Sequence, residues 1–450
     1  MIAPAINSRH RLNALFLRGV EAQKRGEFAL ASGIFREILA ADRGYMPAIF
    51  QAGTLALQLK SYEQAEQLFR MAIHLKPDFQ DAWYDLALTL QESGRIVAAF
   101  DCYLQALKLN PDFAPAWVNS GTCLLALGDV PRAVEHCTRA MECTTPAPED
   151  RYNRGLANIL LGRWKEGWED FEYRWNAPSF KADYPRGTQW KKQWIGEQTD
   201  APVLLWAEQG FGDTLMVLRY IPLIRARASN LVVEVQPQLV SLLHAIWPDL
   251  SVVAIGTEEP MAEYQIATLS LPYVFQTTPE TVPPLNVPIE LLWSPYVDPG
   301  LLDNTVRIGL CWAGRAEHRN DGRRSIPLSA LWPLLQFEGV SWQALQLDRL
   351  EGIEETPLQP LESKDWVETA RIVASCDLVI TVDTAIAHLA GLLGKPTWLL
   401  LSAWPDFRWM LERADTPWYP SVKLYRQSKV GDWMKIIMQV RKDLDALRVR

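Results

Sequence analysis

A small residue recurs every 34 positions along the first part of the chain: Gly19, Gly53, Ala87, Gly121 and Gly155. Twelve residues after each stands Ala31, Ala65, Ala99, Ala133 or Gly167, and four further on Phe35, Phe69, Tyr103, Cys137 or Phe171. Pro77 and Pro111 close two of the periods, and Trp83 and Trp117 open the next two. A period of this length and content fits a pair of antiparallel helices. Small residues stand where the helices touch, an aromatic fills the gap between them, and proline ends the second helix because it cannot continue the hydrogen-bond ladder. One hairpin cannot bury its own apolar face, so the units must stack on each other. The array is expected over residues 11–178 as about five hairpins. The last of these, with Gly167 and the bulky Trp164, Trp168 and Trp175, reads as a cap that docks on the second half of the chain.

Spacing and residue types together resemble the tetratricopeptide repeat, most strongly over residues 46–145. The resemblance implies an α-helical superhelix with a concave groove suited to an extended polypeptide. An adaptor that binds protein partners is the plainest role for such an array.

The formal net charge is −8, whereas a general nucleic-acid binder is more often basic, so nucleic acid is not expected as a partner. Residues 1–10 hold no apolar run, and no segment reaches the ~18–20 apolar residues of a membrane span; a soluble, cytoplasmic protein is expected. Cys102, Cys123, Cys137, Cys143, Cys311 and Cys376 contain no Cys-x-x-Cys pair and read as reduced, buried thiols. His136, Cys137 and Cys143 lack the paired spacing of a zinc site. The 19 Trp residues are numerous; such side chains build cores and also line sugar, base and peptide grooves.

After a polar connector over residues 176–200 the pattern changes to alternating strand and helix. Strands are expected at 203–207, 231–235 and 252–255, with helices at 214–226 and 237–246. A proline-rich stretch, 277–299, interrupts them. The alternation then resumes with strands at 307–312, 340–347, 378–382 and 396–401, helices at 328–336, 365–375 and 383–393, and a last helix at 432–447. This is the signature of parallel sheets. Two Rossmann-like halves, 200–298 and 305–450, would face each other across a cleft at their C-terminal strand ends, where ligands bind in such folds.

Three segments at strand ends carry the candidate chemistry. Glu208-Gln209-Gly210-Phe211-Gly212-Asp213 leaves a strand and opens a helix. Gly210 and Gly212 permit a sharp turn and a close ligand approach. Asp213 reads equally as an N-cap or as a functional group. The loop is not Gly-x-Gly-x-x-Gly, so the dinucleotide fingerprint is unmet. Asp383-Thr384-Ala385 through His388 follows a very apolar strand. The free N–H groups of Thr384 and Ala385 make an anion site, and His388 lies one turn on, facing the same side as Thr384. Asp383 can cap this helix or accept from sugar hydroxyls. The third segment, Trp312 to Ser325, carries Arg315, His318, Arg319, Arg323 and Arg324 within ten residues, forked donors suited to a diphosphate. A solvated basic loop is the competing reading. Gln346, at the end of a strand, is a candidate for contact with a nucleotide base.

Taken together, residues 208–215, 307–326 and 377–401 resemble bacterial tetratricopeptide glycosyltransferases, which are similar to the heptosyltransferases of glycosyltransferase family 9 and to the O-GlcNAc transferase type of family 41. The similarity spans roughly residues 160–445. It implies a GT-B fold, and an inverting, metal-independent transfer of sugar from a nucleotide-diphosphate sugar to an acceptor. In the heptosyltransferase pattern the Asp of the first loop is the general base, which falls on Asp213. The Asp-Thr-Gly-x-x-His pattern that binds the donor diphosphate falls on Asp383, Thr384 and His388, with Ala385 in place of Gly. The basic residue of the middle loop falls on Arg323 or Arg324, beside Ser325; Gln209, Gly210 and Gly212 complete the expected donor loop. No Asp-x-Asp ends a strand, since Asp443-Leu-Asp445 lies in the last helix, so neither a catalytic metal nor a cofactor is expected. The alternatives are a repeat scaffold with a weakly active or inactive α/β module, and a nucleotide-sugar epimerase.

Overall fold

The computed structural model describes all residues except 1–2, 144–146, 184–191, 258–259, 286, 289–305, 317–320, 404, 430 and 449–450. The chain divides into two compact units, Met1–Ala157 and Asn158–Arg450.

The first unit is a stack of helical hairpins: α1 (Ala3–Lys24), α2 (Phe28–Ala41), α3 (Met46–Gln58), α4 (Tyr62–Leu75), α5 (Gln80–Glu92), α6 (Ile96–Leu109), α7 (Ala114–Leu127) and α8 (Val130–Cys143). The helix α9 (Pro148–Leu160) runs across the division between the units. The residues of the 34-position ladder meet as their sizes require. A Cβ on Gly19 would lie 2.6 Å from the Phe35 ring, and one on Gly53 2.7 Å from Phe69. Ala31, Ala65, Ala99 and Ala133 are fully buried between neighbouring helices. The recurring proline and tryptophan form one device. Pro77 and Pro111 follow the ends of α4 and α6, and their carbonyls accept the indole N–H of Trp83 (2.9 Å) and Trp117 (2.7 Å). The carbonyl at the helix break, which the ladder leaves unused, is thereby satisfied by the next hairpin.

The described residues of the second unit form two sheets, parallel throughout. One has the order β3-β2-β1-β4, built from β1 (Val203–Trp206), β2 (Leu231–Val235), β3 (Ser251–Ala254) and β4 (Tyr264–Ala267). The other has the order β10-β9-β8-β5-β6-β7, from β5 (Val306–Cys311), β6 (Val340–Ala344), β7 (Leu358–Gln359), β8 (Leu378–Val382), β9 (Thr397–Leu401) and β10 (Val422–Arg426). This second order is the doubly wound one, reversing between β5 and β8, the place where ligand crevices form in open parallel sheets. The fully buried β8 and β9 lie in the middle, which is why they read as unbroken apolar runs.

Several boundaries differ from the sequence reading. The expected helix 214–226 begins earlier and is broken into α10 (Phe211–Val217), a 3-10 turn (Leu218–Tyr220) and a short helix (Ile221–Arg225) with Pro222 in its first turn. Strands β4, β7 and β10 fall outside the expected ones: β4 and β7 are short, and Val422–Arg426 alternates charge with apolar side chains as a sheet edge does. The helix Trp164–Phe171 belongs to the second unit. Its Trp164 stacks on Trp418 with centroids 5.1 Å apart, and Trp168 meets Phe407 edge-on at 5.9 Å. No helix among the described residues is long and apolar enough to cross a membrane.

Candidate functional site

The first loop, after β1, turns through Gln209, whose φ of +61° is unusual for a residue with a side chain. Its carbonyl accepts from Gln236 Nε2 at 3.2 Å, and the Gln209 side chain is exposed. The N-cap of α10 is Gly210, and Asp213 is the third residue of the helix. The expectation of Asp213 as N-cap is therefore corrected. It closes a capping box from the other side, its Oδ2 accepting the Gly210 N–H at 2.9 Å, because the glycine offers no side chain for the purpose. Asp213 is buried, and its Oδ1 forms an ion pair with Arg408 Nη2.

Glu208, just before the loop, is committed elsewhere. Both its oxygens pair with the fully buried Arg174, at 3.1 and 2.9 Å, and Oε1 also accepts the Leu269 N–H. Arg174 in turn reaches Glu172, Ser270 and the Phe171 carbonyl. This network ties the segment Glu172–Asn176 to the end of β1.

The segment after β8 turns into helix α11 (Ala385–Leu392), whose N-cap is Thr384 and not Asp383. Thr384 and Ala385 are partly exposed, and Thr384 Oγ1 lies 3.3 Å from Thr381 Oγ1. His388 is buried. Its Nδ1 is 3.0 Å from the Tyr419 hydroxyl, and burial, aided by the Arg219 guanidinium, pushes it down to about 3, so the imidazole is neutral. A Cβ on Gly212 would stand 2.7 Å from the His388 ring. Glycine there lets the first loop and the His388 helix, from different sheets, lie against each other.

The middle loop separates its two candidate arginines. Arg323 is exposed. Arg324 turns inward and donates to the Asp383 carbonyl at 3.0 Å, its guanidinium lying where a Cβ on Gly314 would stand, at 2.5 Å. Ser325 Oγ accepts the Gly314 N–H at 3.0 Å and donates to the buried Asp321 at 2.6 Å, which also pairs with Arg349. Arg315 lies over the Phe211 ring at 4.8 Å. Gln346 is used structurally: its Oε1 accepts from Ala313 N (3.1 Å) and Trp312 N (3.3 Å), and its Nε2 donates to Asp348 (2.9 Å). His318 and Arg319 lie outside the described residues.

A fourth segment, after β9, joins the site without having been expected there. Arg408 is buried and pairs with both Asp213 and Asp406. Burial and the nearby Asp383 carboxylate push Asp406 up to about 8; burial likewise raises Asp383, against the pull of Trp409 and Arg324. The one signal in the sequence is position: Asp406-Phe-Arg408-Trp409 closely follows a buried strand at the C-terminal edge of the sheet, where functional groups collect. Arg219 is a buried arginine that donates to the carbonyls of Met216, Pro283 and Trp418. Among the described residues no cluster of three or more His, Cys, Asp or Glu is placed to hold a metal ion. Free thiols are found at all six cysteines, five of them buried.

The family model of the tetratricopeptide repeat agrees with the repeat reading. Over an alignment 497 positions long the chain is 25% identical to Protein FlbA of Caulobacter vibrioides (strain ATCC 19089 / CIP 103742 / CB 15), covering 93% of this chain and 82% of FlbA. It is 41% identical over 59 residues to Protein O-mannosyl-transferase Tmtc3 of Drosophila melanogaster, which is 13% of this chain and 6% of that protein. Among solved structures, a crystal structure of MamA matches 37% of this chain and 97% of its own at 20% identity and a TM-score of 0.34. The TPR protein YrrB, described as having an unusual peptide-binding site, matches 38% of this chain and 88% of its own at 20% identity and a TM-score of 0.32. Residues 16–78 and 84–150 match the family model of the tetratricopeptide repeat.

Proposed function

We propose that this protein is a glycosyltransferase of GT-B type, which moves a sugar from a nucleotide-diphosphate donor to an acceptor recruited by its tetratricopeptide array. One observation carries the reading: Gly212 and Asp213, at a strand end of one parallel sheet, lie against His388 and Arg408, at strand ends of the other. Two sheets thus present their ligand-binding edges to one junction. In this reading the N–H groups at Thr384 and Ala385, with Arg324, take the charge that builds on the leaving diphosphate. The neutral His388 is a hydrogen-bonding neighbour and not a second cation. Asp213 removes the acceptor proton, and the transfer is inverting and needs no metal. A polypeptide is the favoured acceptor, since stacked hairpins offer an extended groove; the Drosophila relative matched over a short stretch is by its name an O-mannosyl-transferase.

The alternative, a repeat scaffold with a weakly active or inactive module, draws on the engagement of both Asp213 oxygens, one by Gly210 and one by Arg408. A thermal-shift screen against UDP, ADP, GDP and their sugars separates the two. Specific donor binding raises the melting temperature by mass action, and one base should stand out. No shift with any nucleotide or nucleotide sugar at millimolar concentration would favour the scaffold.

A further inference from the structure

Arg408 stands where the proposed chemistry needs room. A general base must bring a carboxylate oxygen to about 2.6–3.2 Å from the proton it takes. Asp213 has already given Oδ2 to the Gly210 N–H at 2.9 Å, and Arg408 Nη2 covers Oδ1. In this state the carboxylate is both neutralised and blocked. The guanidinium is not held by Asp213 alone: Nη1 pairs with Asp406, and the group lies 4.4 Å over the Phe407 ring. Leaving Asp213 would cost the buried guanidinium one of its two carboxylate partners unless another anion took its place. The neighbouring wall provides a place for one. Arg324 donates to the carbonyl of Asp383, just before the N-terminus of α11, and His388 of that helix has its ring centroid 5.1 Å from that of Trp409, the residue after Arg408. A diphosphate there offers several oxygens to the fork of an arginine, whereas Asp213 offers one.

We propose that Arg408 is an exchangeable guanidinium, paired with Asp213 in the empty site and drawn to the phosphates of a bound nucleotide diphosphate, so that donor binding uncovers the Asp213 carboxylate. Arg408 is then a positioning residue that keeps Asp213 masked until the donor is seated. This would suppress proton transfer to the base when there is no sugar to move. The inference rests on the nucleotide-sugar reading of the same site.

The test is a double-mutant cycle read by calorimetry on the full chain, with UDP, ADP, GDP and inorganic pyrophosphate as probes. Wild type, Asp213→Asn, Arg408→Gln, Arg408→Lys and the Asp213→Asn/Arg408→Gln double variant are compared. Removing the competing carboxylate should tighten diphosphate binding by about tenfold, a usual size for coupling between linked sites. Arg408→Gln should weaken it, and in the double variant the gain from Asp213→Asn should vanish. Arg408→Lys keeps the charge but not the fork, and covers the case in which Arg408→Gln does not fold; Asp213→Asn on that background should give less than half the gain in logarithmic affinity. If Asp213→Asn leaves affinity unchanged, or gains as much without Arg408 as with it, the exchange is refuted and plain charge removal explains the result. If no probe binds any folded variant, the nucleotide-sugar reading falls first and the exchange falls with it.

Discussion

Asp213 spends one oxygen on the Gly210 N–H and the other on Arg408, so its substitutions report on more than a helix cap. Asp213→Asn keeps an oxygen for Gly210 but loses the charge opposite Arg408. It should cost about 1.5–3 kcal/mol in urea unfolding, in line with a buried hydrogen bond to a charged group. Sugar transfer should fall by about a hundredfold or more, the usual worth of a positioned base, under conditions where chemistry limits the rate. A variant that transfers at close to the wild-type rate would remove Asp213 from the role of base. Glu208 is a poor substitute, being locked to Arg174. The two neighbouring arginines should behave differently. Arg324→Ala should weaken nucleotide-diphosphate binding by about tenfold or more while sparing nucleoside binding, because only the diphosphate uses the charge. The exposed Arg323→Ala should change neither by more than about twofold, as for most solvated surface charges. Equal losses for nucleoside and diphosphate in Arg324→Ala would show that the loop has merely been disordered.

Among the hairpins, α5 carries a built-in pH dependence. Burial, and then the like charge of Asp81 one turn away, push the Asp85 carboxyl up to about 7. A group whose folded-state pKa is raised stabilises the fold most fully below its unfolded value, near 3.8, and that contribution is lost as pH rises through the folded value. The melting temperature of the repeat unit should therefore fall between about pH 4 and pH 7 from this residue's contribution. Asp85→Asn should flatten that part of the profile. An unchanged slope in the Asn variant would assign the dependence to other groups. The ladder glycines set a steric limit on the same elements: with the Phe69 ring 2.7 Å from a Cβ at position 53, helix α3 can approach α4 this closely only with glycine there.

The two compact units divide the elements between them. The first contains the hairpin stack and the second both parallel sheets with every candidate site residue. Deleting residues 1–140 should abolish transfer to a polypeptide acceptor while slow donor hydrolysis persists, since the proposed donor-binding residues lie beyond the deletion. Radiolabelled donor, followed into protein and into free sugar, measures both rates. Undiminished transfer by the truncated protein would take the array out of acceptor recruitment.

Periodic features are legible in the amino-acid order because they repeat a local demand. The 34-residue ladder requires a small residue at each helix contact, and buried parallel strands such as Leu378–Val382 require an unbroken apolar run. Short edge strands lack that signature: Val422–Arg426 mixes Lys423 and Arg426 with apolar residues, and Leu358–Gln359 is too brief to show a period. The candidate site divides along the same line. Asp213, Asp383, Thr384 and His388 stand out because each lies where an apolar strand turns into a helix, a local arrangement with a chemical meaning. Arg408 does not, because its importance comes from a partner 195 positions earlier, and a lone arginine in a loop has no local mark of such a contact. The roles of Gln346 and Arg324 are likewise set by folding, which turns one amide onto the backbone of residues 312–313 and places one guanidinium of two beside Gly314. Local sequence specifies which elements form, since propensity and periodicity act between near neighbours; which charges meet depends on how strand ends from separate sheets are packed together, and that is a property of the assembled fold.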